Sequence, residues 1–272
     1  MLIIGERINC TRKPIARAVT NGDEAFIQQV ALQQVRAGAA MLDVNGGIAG
    51  HEVEYLPWLV DVIQKVVDIT LCLDSPDPEA LGRALPLCRY RPMINSITDD
   101  PVRFSALAPL AQAYGARVIA LCLSESGYPT TADDRIKIAA SLIRRLTAAG
   151  IPPQDIYVDP AVFPVSTNTE YGNAVLDTIE TVVKTYPDVH TICGLSNVSF
   201  GLPARMLLNQ TFLVLAMGRG VDTVIADPCD SQLMANLAAA EMLLGRDEFC
   251  AAYLQAHQSG RLEPEKAVVS GQ

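Results

Sequence analysis

The chain has 272 residues, of which half are apolar and 19% are charged, a balance typical of a globular protein with a large buried core. No run of about 18 uninterrupted apolar residues occurs, so the sequence predicts no membrane-spanning helix and no membrane partner. The formal charge of −9, from 30 acidic and 21 basic residues, gives phosphates no attractive field and argues against a nucleic-acid partner.

Short apolar runs rich in Ile, Val and Leu recur along the chain and predict eight β-strands, with helical spacing between them. In chain order these strands are 2–8, 41–45, 71–75, 92–96, 118–124, 156–160, 191–197 and 223–228. The intervening helices include 24–38 and 134–150, which both end in Ala-Gly. Strands that are apolar on both faces and alternate with helices indicate a parallel sheet. Eight such units predict an α/β fold of the closed (β/α)₈ TIM-barrel type.

One domain is expected over residues 1–258, followed by a flexible C-terminal tail over 259–272. After a last barrel helix at 231–245, a short helix at 247–257 is expected to pack on the barrel. The opening segment MLIIGERI lacks the basic start and long apolar stretch of a signal peptide. The seven cysteines contain no CxxC pair and lie mostly in apolar runs. These features predict a cytoplasmic protein without disulfides.

Polar side chains occur at the end of nearly every predicted strand. In a barrel these ends meet at one mouth, where catalytic groups lie. The residues are Glu6, Asn9, Asp43, Asn45, Asp74, Ser75, Asn95, Ser96, Ser124, Asp159, Ser196, Asn197 and Asp227. Asp, Asn and Ser also cap helices and form turns, so each has an ordinary structural alternative. A ring of this composition, with very few cations and no nucleophile, suits a neutral flat heterocycle with amide-like edges.

The carboxylates suggest how such a heterocycle is bound. A carboxylate that faces an amino group and the adjacent ring N–H makes a paired, charge-assisted contact. One or two of Asp43, Asp74 and Asp159 are therefore expected to bind a guanidine-like edge. Asn95 is expected to bind a ring oxygen or nitrogen with its amide. The three histidines lack metal-ligand spacing, so the sequence predicts no metal site in this chain.

The motifs at these positions resemble those of the pterin-binding methyltransferase family. They are GERIN at 5–9, LDVNGG at 42–47, LCLDS at 71–75, MINS at 93–96, YVDP at 157–160, GLSNVSFGLPAR at 194–205, LNQTF at 208–212 and IADPCD at 225–230. The resemblance spans essentially residues 1–255 in chain order. It implies a pterin-binding (β/α)₈ barrel, usually a homodimer. The activity it implies is methyl transfer between methyltetrahydrofolate and the cobalt of a corrinoid protein, with the cobalamin supplied by that partner.

The resemblance also implies roles for individual residues. Asp74, Asn95 and Asp159 match the residues that hold the pterin ring, and Asn197 matches the one that reaches the methyl-bearing nitrogen, N5. A hydrogen-bond donor aimed at N5 stabilises charge that develops in the transition state, and a single donor of this kind contributes about 10² to 10³ in rate. The same mouth is expected to be lined, in less definite roles, by Glu6, Asp43, Asn45 and Ser196. Arg205 is expected either to bind the carboxylates of the folate tail or to cap its own helix.

Two other functions stay open at this point. Dihydropteroate synthases share the barrel and the pterin pocket, but they have Ser-Arg-Lys where this chain has Ser196, Asn197 and Val198. Their cations neutralise a pyrophosphate leaving group, whereas here no Lys or Arg occurs between Lys184 and Arg205. A non-catalytic folate-binding subunit is the second alternative, and the presence of Asn197 argues against it. The direction of methyl transfer is left open, because one transition state serves both directions.

One histidine could be mistaken for a cobalt ligand. The segment DVHTICG at 188–194 comes close to the DxHxxG pattern with which corrinoid-binding domains offer a histidine to cobalt. Gly194 falls one residue late, and the segment leads into a predicted apolar strand. We therefore expect no ligand role for His190.

Overall fold

The computed structural model describes residues 1–125 and 127–262. Within these residues, eight parallel strands close into a barrel in sequence order, and the last strand pairs with the first. They are β1 Leu2–Asn9, β2 Met41–Asn45, β3 Thr70–Asp74, β4 Met93–Thr98, β5 Arg117–Leu121, β6 Ile156–Asp159, β7 His190–Gly194 and β8 Thr223–Ala226. The predicted strands and the (β/α)₈ TIM-barrel fold are confirmed.

Helices surround the barrel. They are α1 Lys13–Thr20, α2 Glu24–Arg36, α3 Glu52–Gln64, α4 Pro78–Ala84, α5 Pro101–Ala113, α6 Ala132–Ala148, α7 Tyr171–Thr185, α8 Arg205–Gly218, α9 Ser231–Leu243 and α10 Ala251–Gln258. Several begin at a side chain that accepts a backbone N–H of the first turn, as Asp100 does for α5 and Thr131 for α6. None of the helices in the described part of the chain is long and apolar enough to cross a membrane.

The inside of the barrel is filled by one buried side chain from each strand. These are Ile4, Met41, Cys72, Met93, Ile119, Tyr157, Ile192 and Ile225. Larger apolar clusters lie between the strands and the helices. The barrel is therefore a packed core rather than a pore, and a ligand has room only at its mouth.

The carboxyl ends of the first four strands are aligned in register. Asn9 pairs with Asn45, Asn45 with Asp74, and Asp74 with Asn95, so four polar residues form one row across β1 to β4. The register shifts between Gly5 and Ile8 in β1, next to Glu6, and just after Asn95 in β4. Irregularities of this type re-aim side chains and are common beside active sites.

Two strands, β5 and β7, end three residues earlier than the sequence predicts. Strand β7 ends at Gly194, and Leu195–Ser199 form a 3₁₀ turn rather than its continuation. Strand β5 ends at Leu121, which leaves Ser124 in the connection to α6, where it bridges to Gly127. In both cases the residues beyond the strand are partly apolar, and apolar residues occur both in strands and in turns that pack on the barrel.

The C-terminal helix is also interrupted. The predicted helix at 247–257 consists of a 3₁₀ turn at Glu248–Cys250 and α10, separated by Phe249 and Cys250 with φ of 56° and 57°. The Asp247 carboxylate accepts the backbone N–H groups of Ala252 and Tyr253 at 3.0 and 2.9 Å, which fixes the start of α10. Helix α10 packs against α9, as expected. The tail predicted for 259–272 lies outside the described residues from position 263 onward.

Candidate active site

A cleft of about 340 Å³ opens at the carboxyl ends of the strands. Its volume falls within the range of about 300 to 1,000 Å³ that small-molecule sites occupy. The cleft is lined by Glu6, Asn9, Thr11, Arg12, Asp43, Asp74, Asn95, Leu121, Asp159, Gly194, Ser196, Asn197 and Ile225. The structure thus brings together most of the residues that the sequence proposes for the site, from β1, β2, β3, β4, β6 and the turn after β7.

The Asn45 amide lies against Asp74 and fixes its position. Its Nδ2 donates to Asp74 Oδ2 at 2.9 Å, and its Oδ1 accepts the backbone N–H of Gly47 at 2.9 Å. A Cβ at position 47 would lie 2.8 Å from Asn45 Oδ1 and would displace the Asn45 amide. The glycine turn that follows Asn45 therefore orients the Asn45 amide toward Asp74.

Asn95 makes the equivalent contact with Asp43. Its Nδ2 donates to Asp43 Oδ1 at 3.0 Å, which leaves its own Oδ1 with no partner among residues 1–125 and 127–262. Asp43 is only 3% exposed, and its burial, followed by the charge of Asp74, holds its pKa well above the ordinary value. Burial also raises the pKa of Asp74, against the hydrogen bond from Asn45. These carboxylates ionise most readily when a ligand supplies N–H donors.

Asp159 lies at the end of β6. Burial raises its pKa to about 7, although the backbone N–H groups of Ala161 and Gly194 stabilise its ionised form. The Ala161 N–H donates to Asp159 Oδ1 at 2.8 Å. A buried carboxyl that titrates near neutrality can bind a ligand N–H donor as a carboxylate at little cost in free energy.

Glu6 connects the turn after β7 with the loop after β1. Its Oε2 accepts a hydrogen bond of 3.1 Å from Ser196 Oγ, and its Oε1 accepts one of 3.1 Å from Arg12 Nη2. Burial raises the pKa of Glu6, and the charge of Arg12 opposes that rise. Arg12 is the one cation among the described residues that line the cleft, and the sequence analysis missed it. Its position in the first βα loop, six residues after Glu6, is the sequence signal by which it could have been found.

Asn197 lies in the 3₁₀ turn after β7, with its side chain exposed at the cleft. Its amide makes no hydrogen bond to other residues in the described ranges. A Cβ at Gly194 would lie 3.2 Å from Asn197 Nδ2, so the absent side chain at position 194 leaves the amide its space. Both ends of the amide are free to meet a ligand.

Arg205 holds the segment that contains Asn197. Its Nε donates to Ser199 Oγ at 3.1 Å and its Nη2 to the carbonyl of Ser196 at 2.8 Å. It also lines a second cavity of about 500 Å³, which shares Glu6 and Arg12 with the cleft. The structure thus gives Arg205 a supporting contact that the sequence did not specify, and leaves its Nη1 without a hydrogen bond in the described part of the chain.

Two further arginines, which were not predicted from sequence, donate hydrogen bonds to backbone carbonyls near the carboxyl ends of the strands. Arg103 in α5 donates to the carbonyls of Ser75, Pro76 and Ser96. Arg135 in α6 is fully buried and donates to the carbonyls of Pro160 and Ala161, just after Asp159. Neither residue has a motif of its own, because its partners are backbone atoms that any sequence supplies.

The remaining strand-end residues lie elsewhere. Ser75 and Ser96 are buried outside the cleft, and Asp227 lines the second cavity instead. Ser124 lies in the β5–α6 connection. His190, at the amino end of β7, stacks on Tyr157 and lies 2.6 Å from Asp222 Oδ2, at the opposite end of the barrel from the cleft. Its lack of contact with the mouth agrees with the prediction that it is no ligand.

Among residues 1–125 and 127–262, no group of three or more His, Cys, Asp or Glu side chains could hold a metal ion. The seven cysteines are free, and Cys10, Cys72, Cys122 and Cys193 are buried. The polar side chains of the described residues that line the cleft are therefore carboxylates, carboxamides, the hydroxyls of Thr11 and Ser196 and the Arg12 guanidinium.

Comparison with known proteins identifies the family of the chain. A family model described as pterin binding enzyme matches residues 5–227. The chain is 35% identical over 270 residues to a methylcorrinoid:tetrahydrofolate methyltransferase of Eubacterium limosum, covering 98% of this chain and 100% of that one. It is 32% identical over 239 residues to the methionine synthase of Mycobacterium tuberculosis, a match that covers 83% of this chain and 20% of that protein.

Solved structures show the same fold. Dihydropteroate synthase from Thermus thermophilus matches with a TM-score of 0.67 at 18% identity, over 90% of this chain and 93% of that one. The Yersinia pestis enzyme in a sulfonamide complex matches with a TM-score of 0.69 at 16% identity, over 90% and 94% of the two chains. At such low identity these likenesses establish the barrel, whereas the family match covers the strands that form the cleft. The chain therefore belongs to the pterin-binding enzyme family.

Proposed function

We propose that this chain is a methyltransferase that moves a methyl group between N5 of tetrahydrofolate and the cobalt of a corrinoid protein. The observation behind the proposal is the free Asn197 amide at the edge of a cleft lined by buried carboxylates. The full-length similarity to a methylcorrinoid:tetrahydrofolate methyltransferase supports the same activity.

The buried carboxyl groups suit the donor-rich edge of a pterin. Asp74 and Asp159 would accept hydrogen bonds from the amino group and ring N–H groups, with Asn95 on the adjacent ring atoms. Paired contacts of this kind are charge-assisted and short. Asp43 and Asn45 orient Asn95 and Asp74 through the contacts described above, and Ser196 with Glu6 closes the side of the cleft toward β1.

Asn197 would act on the reacting nitrogen. When methyl passes to tetrahydrofolate, the N5 lone pair forms the new N–C bond, the cobalt–carbon electron pair stays on cobalt, and the N5 proton is released to water at the open mouth. Asn197 Oδ1 can accept a hydrogen bond from that N5–H, and Nδ2 can donate one to N5 in the reverse direction. Because the amide does not titrate, it stabilises developing charge at N5 over the whole pH range.

We propose that the physiological direction is from the methylcorrinoid to tetrahydrofolate. The support is that the relative matched over its whole length has this direction in its name, whereas the methionine synthase match covers only 20% of that protein. The corrinoid partner is the second substrate and must approach the open mouth. We also propose that the free Nη1 of Arg205 binds a carboxylate of the folate tail, in the second cavity.

Turnover tests the proposal directly. The purified chain is mixed with methylcobalamin and tetrahydrofolate, and then with cob(I)alamin and methyltetrahydrofolate, while the visible spectrum of the corrinoid is followed. We expect the spectrum to change in both mixtures, and Asn197→Ala to slow both changes. If neither free nor protein-bound corrinoid reacts in either direction, the methyltransferase proposal is wrong. Folate binding without turnover would instead support a non-catalytic subunit.

Dihydropteroate synthase activity is the less favoured alternative. It requires cations for a pyrophosphate leaving group, and the cation that lines the cleft in the described ranges, Arg12, is already bonded to Glu6. Release of pyrophosphate from a pterin pyrophosphate in the presence of 4-aminobenzoate would reveal this activity.

We further propose a cytoplasmic homodimer whose pterin-binding domain spans residues 1–258. The support for the dimer is the apolar outer face of α8, on which Leu207 and Leu215 are 63% and 52% exposed. Faces of this kind are commonly covered in oligomers. Sedimentation of the parent and of Leu215→Glu, in which a buried charge would oppose dimerisation, tests this assignment.

A further inference from the structure

We infer that Arg103 is a positioning residue of the pterin site, whose guanidinium joins the carboxyl ends of β3 and β4 and so holds Asp74 and Asn95 in the arrangement that binds the ring. The inference rests on the proposed function, because it concerns how the same cleft recognises its ligand.

The contacts of Arg103 span two strand ends. Its Nε donates to the carbonyl of Ser96 at 2.9 Å, its Nη1 to that of Pro76 at 3.1 Å and its Nη2 to that of Ser75 at 3.2 Å. Ser75 directly follows Asp74, and Ser96 directly follows Asn95. One side chain thus bonds to the backbone next to two of the three residues proposed to hold the ring.

The position of Arg103 is itself fixed. Its backbone N–H donates to Asp100 Oδ1 at 2.8 Å, so the cap of α5 places Arg103 in the first helical turn, above the two strand ends. The strand ends are also linked directly, because Ser75 N donates to the carbonyl of Asn95 at 3.2 Å. The ladder between β3 and β4 has Asp74 with Asn95 as its last register pair, and Arg103 adds its three bonds just beyond that pair.

The shape of the guanidinium matters for this role. Its planar group presents five N–H donors in a rigid fork, which lets one side chain bind three carbonyls at once. A lysine ammonium is a compact charge on a flexible stem, and it would serve fewer of these acceptors. Arg135 and Arg205 bind the carbonyls after Asp159 and beside Asn197 in a similar way, so the arrangement recurs around the mouth.

Arg103 also acts on Asp74 through its charge. No carboxylate in the described part of the chain lies within ion-pair distance of the Arg103 guanidinium. The carboxylate whose charge acts on Arg103 most strongly is that of Asp74. The groups that face Asp74 are Asn45 from β2, Arg103 from α5 and Glu52 from α3, and Asp43 lies close enough for their charges to interact. The positive charge lowers the pKa of Asp74 against the effects of burial and Glu52. It therefore favours the carboxylate form that a pterin needs.

Two substitutions separate geometry from charge. Arg103→Lys keeps the positive charge but removes the planar guanidinium with its N–H donors, whereas Arg103→Met removes both. Arg83→Met is the matched control, because Arg83 is an exposed arginine of α4 that pairs with Glu79. For each variant we would measure the melting temperature, the Kd for tetrahydrofolate across pH, and KM and kcat with methylcobalamin.

We expect Arg103→Met to raise Kd and KM for tetrahydrofolate by about tenfold, the lower end of what removing an outer-shell partner costs at metal sites. Its kcat at saturating tetrahydrofolate should change much less. The loss of tetrahydrofolate affinity at acidic pH should begin at a higher pH than in the parent, because Asp74 then ionises less readily. Arg103→Lys should raise the Kd for tetrahydrofolate without changing the pH at which affinity begins to fall. The control Arg83→Met should match the parent. Combined with Asp74→Asn, Arg103→Met should have less than its single effect.

A purely structural role would give a different result. Both Arg103 variants would then melt earlier but bind tetrahydrofolate with the Kd and the pH profile of the parent, which would overturn the inference. If Arg103→Met does not fold, parent-like binding by Arg103→Lys would overturn it equally. A parent protein that binds no tetrahydrofolate at any pH would instead contradict the proposed function, with all variants failing alike.

Discussion

Asn45 and Asp74 are register partners on β2 and β3, and the Asn45 amide donates a 2.9 Å hydrogen bond to the Asp74 carboxylate. This contact lies at the edge of the cleft where the buried carboxylates converge. It favours the ionised form of Asp74 in a place where burial opposes ionisation.

Asn45→Ala should therefore weaken pterin binding. Hydrogen bonds to charged groups contribute about 1.5 to 3 kcal/mol, so the Kd for tetrahydrofolate should rise about tenfold or more. Titration of protein fluorescence with tetrahydrofolate measures this. Asn236→Ala, which removes an amide that pairs with Gln232 within α9, serves as the control. An unchanged Kd in Asn45→Ala would show that Asp74 does not need this donor.

Gly194→Ala should disturb catalysis through Asn197. The new Cβ would lie 3.2 Å from Asn197 Nδ2, and because the amide is exposed it should move away from the cleft. We expect kcat to fall, by less than the factor of about 10² to 10³ expected for Asn197→Ala, while the Kd for tetrahydrofolate changes little. Stopped-flow spectra of the corrinoid give kcat. A loss confined to Kd would place Asn197 among binding groups rather than catalytic ones.

Pterin affinity should depend on pH through Asp159, whose pKa burial raises to about 7. Below that pH the free protein holds a proton that must leave when ligand N–H groups bind the carboxylate. Affinity should therefore fall by up to about tenfold per pH unit below 7 and be level above it. In Asp159→Asn the contribution of Asp159 to this pH dependence should disappear, leaving that of Asp74, and affinity should be low throughout. Asp133→Asn, on the exposed start of α6, should keep the pH dependence of the parent.

His190 should affect stability and not activity. The hydrogen bond to Asp222 raises its pKa, so the stabilisation is fully present below the unfolded value of about 6.5 and is lost as pH rises through the higher folded value. Asp222→Asn should lower the melting temperature most at acidic pH and least at alkaline pH. Thermal unfolding at several pH values measures this. A change in kcat would contradict the position of His190 at the far end of the barrel.

The barrel was predictable from sequence because each strand is apolar on both faces, as a parallel strand covered by helices must be. The polar strand ends were predictable for a related reason, since Asp43, Asp74 and Asp159 interrupt otherwise apolar runs. The 3₁₀ turn at Leu195–Ser199 was not, because its apolar residues pack inward and resemble the end of a strand.

The contacts between site residues were less accessible than the residues themselves. The pairing of Asn45 with Asp74 depends on strand register and on the turn at Gly47, and neither is set by local propensity. Arg103 and Arg135 were missed because they bind backbone carbonyls, which have no sequence signature. Arg12 was missed because it lies in the loop after β1 and not at the end of a strand.

The row of Asn9, Asn45, Asp74 and Asn95 belongs to strands, whereas Asn197 and Arg12 belong to the segments that follow strands. On the proposed function, most of the residues that bind the pterin are built into the rigid sheet, whereas the rim that a corrinoid protein would approach is built from the connections after the strands. Connections tolerate exchange far better than strands do. On the proposed function, replacement of loops would therefore fit this barrel to a different carrier protein with no change in the heterocycle that it accepts.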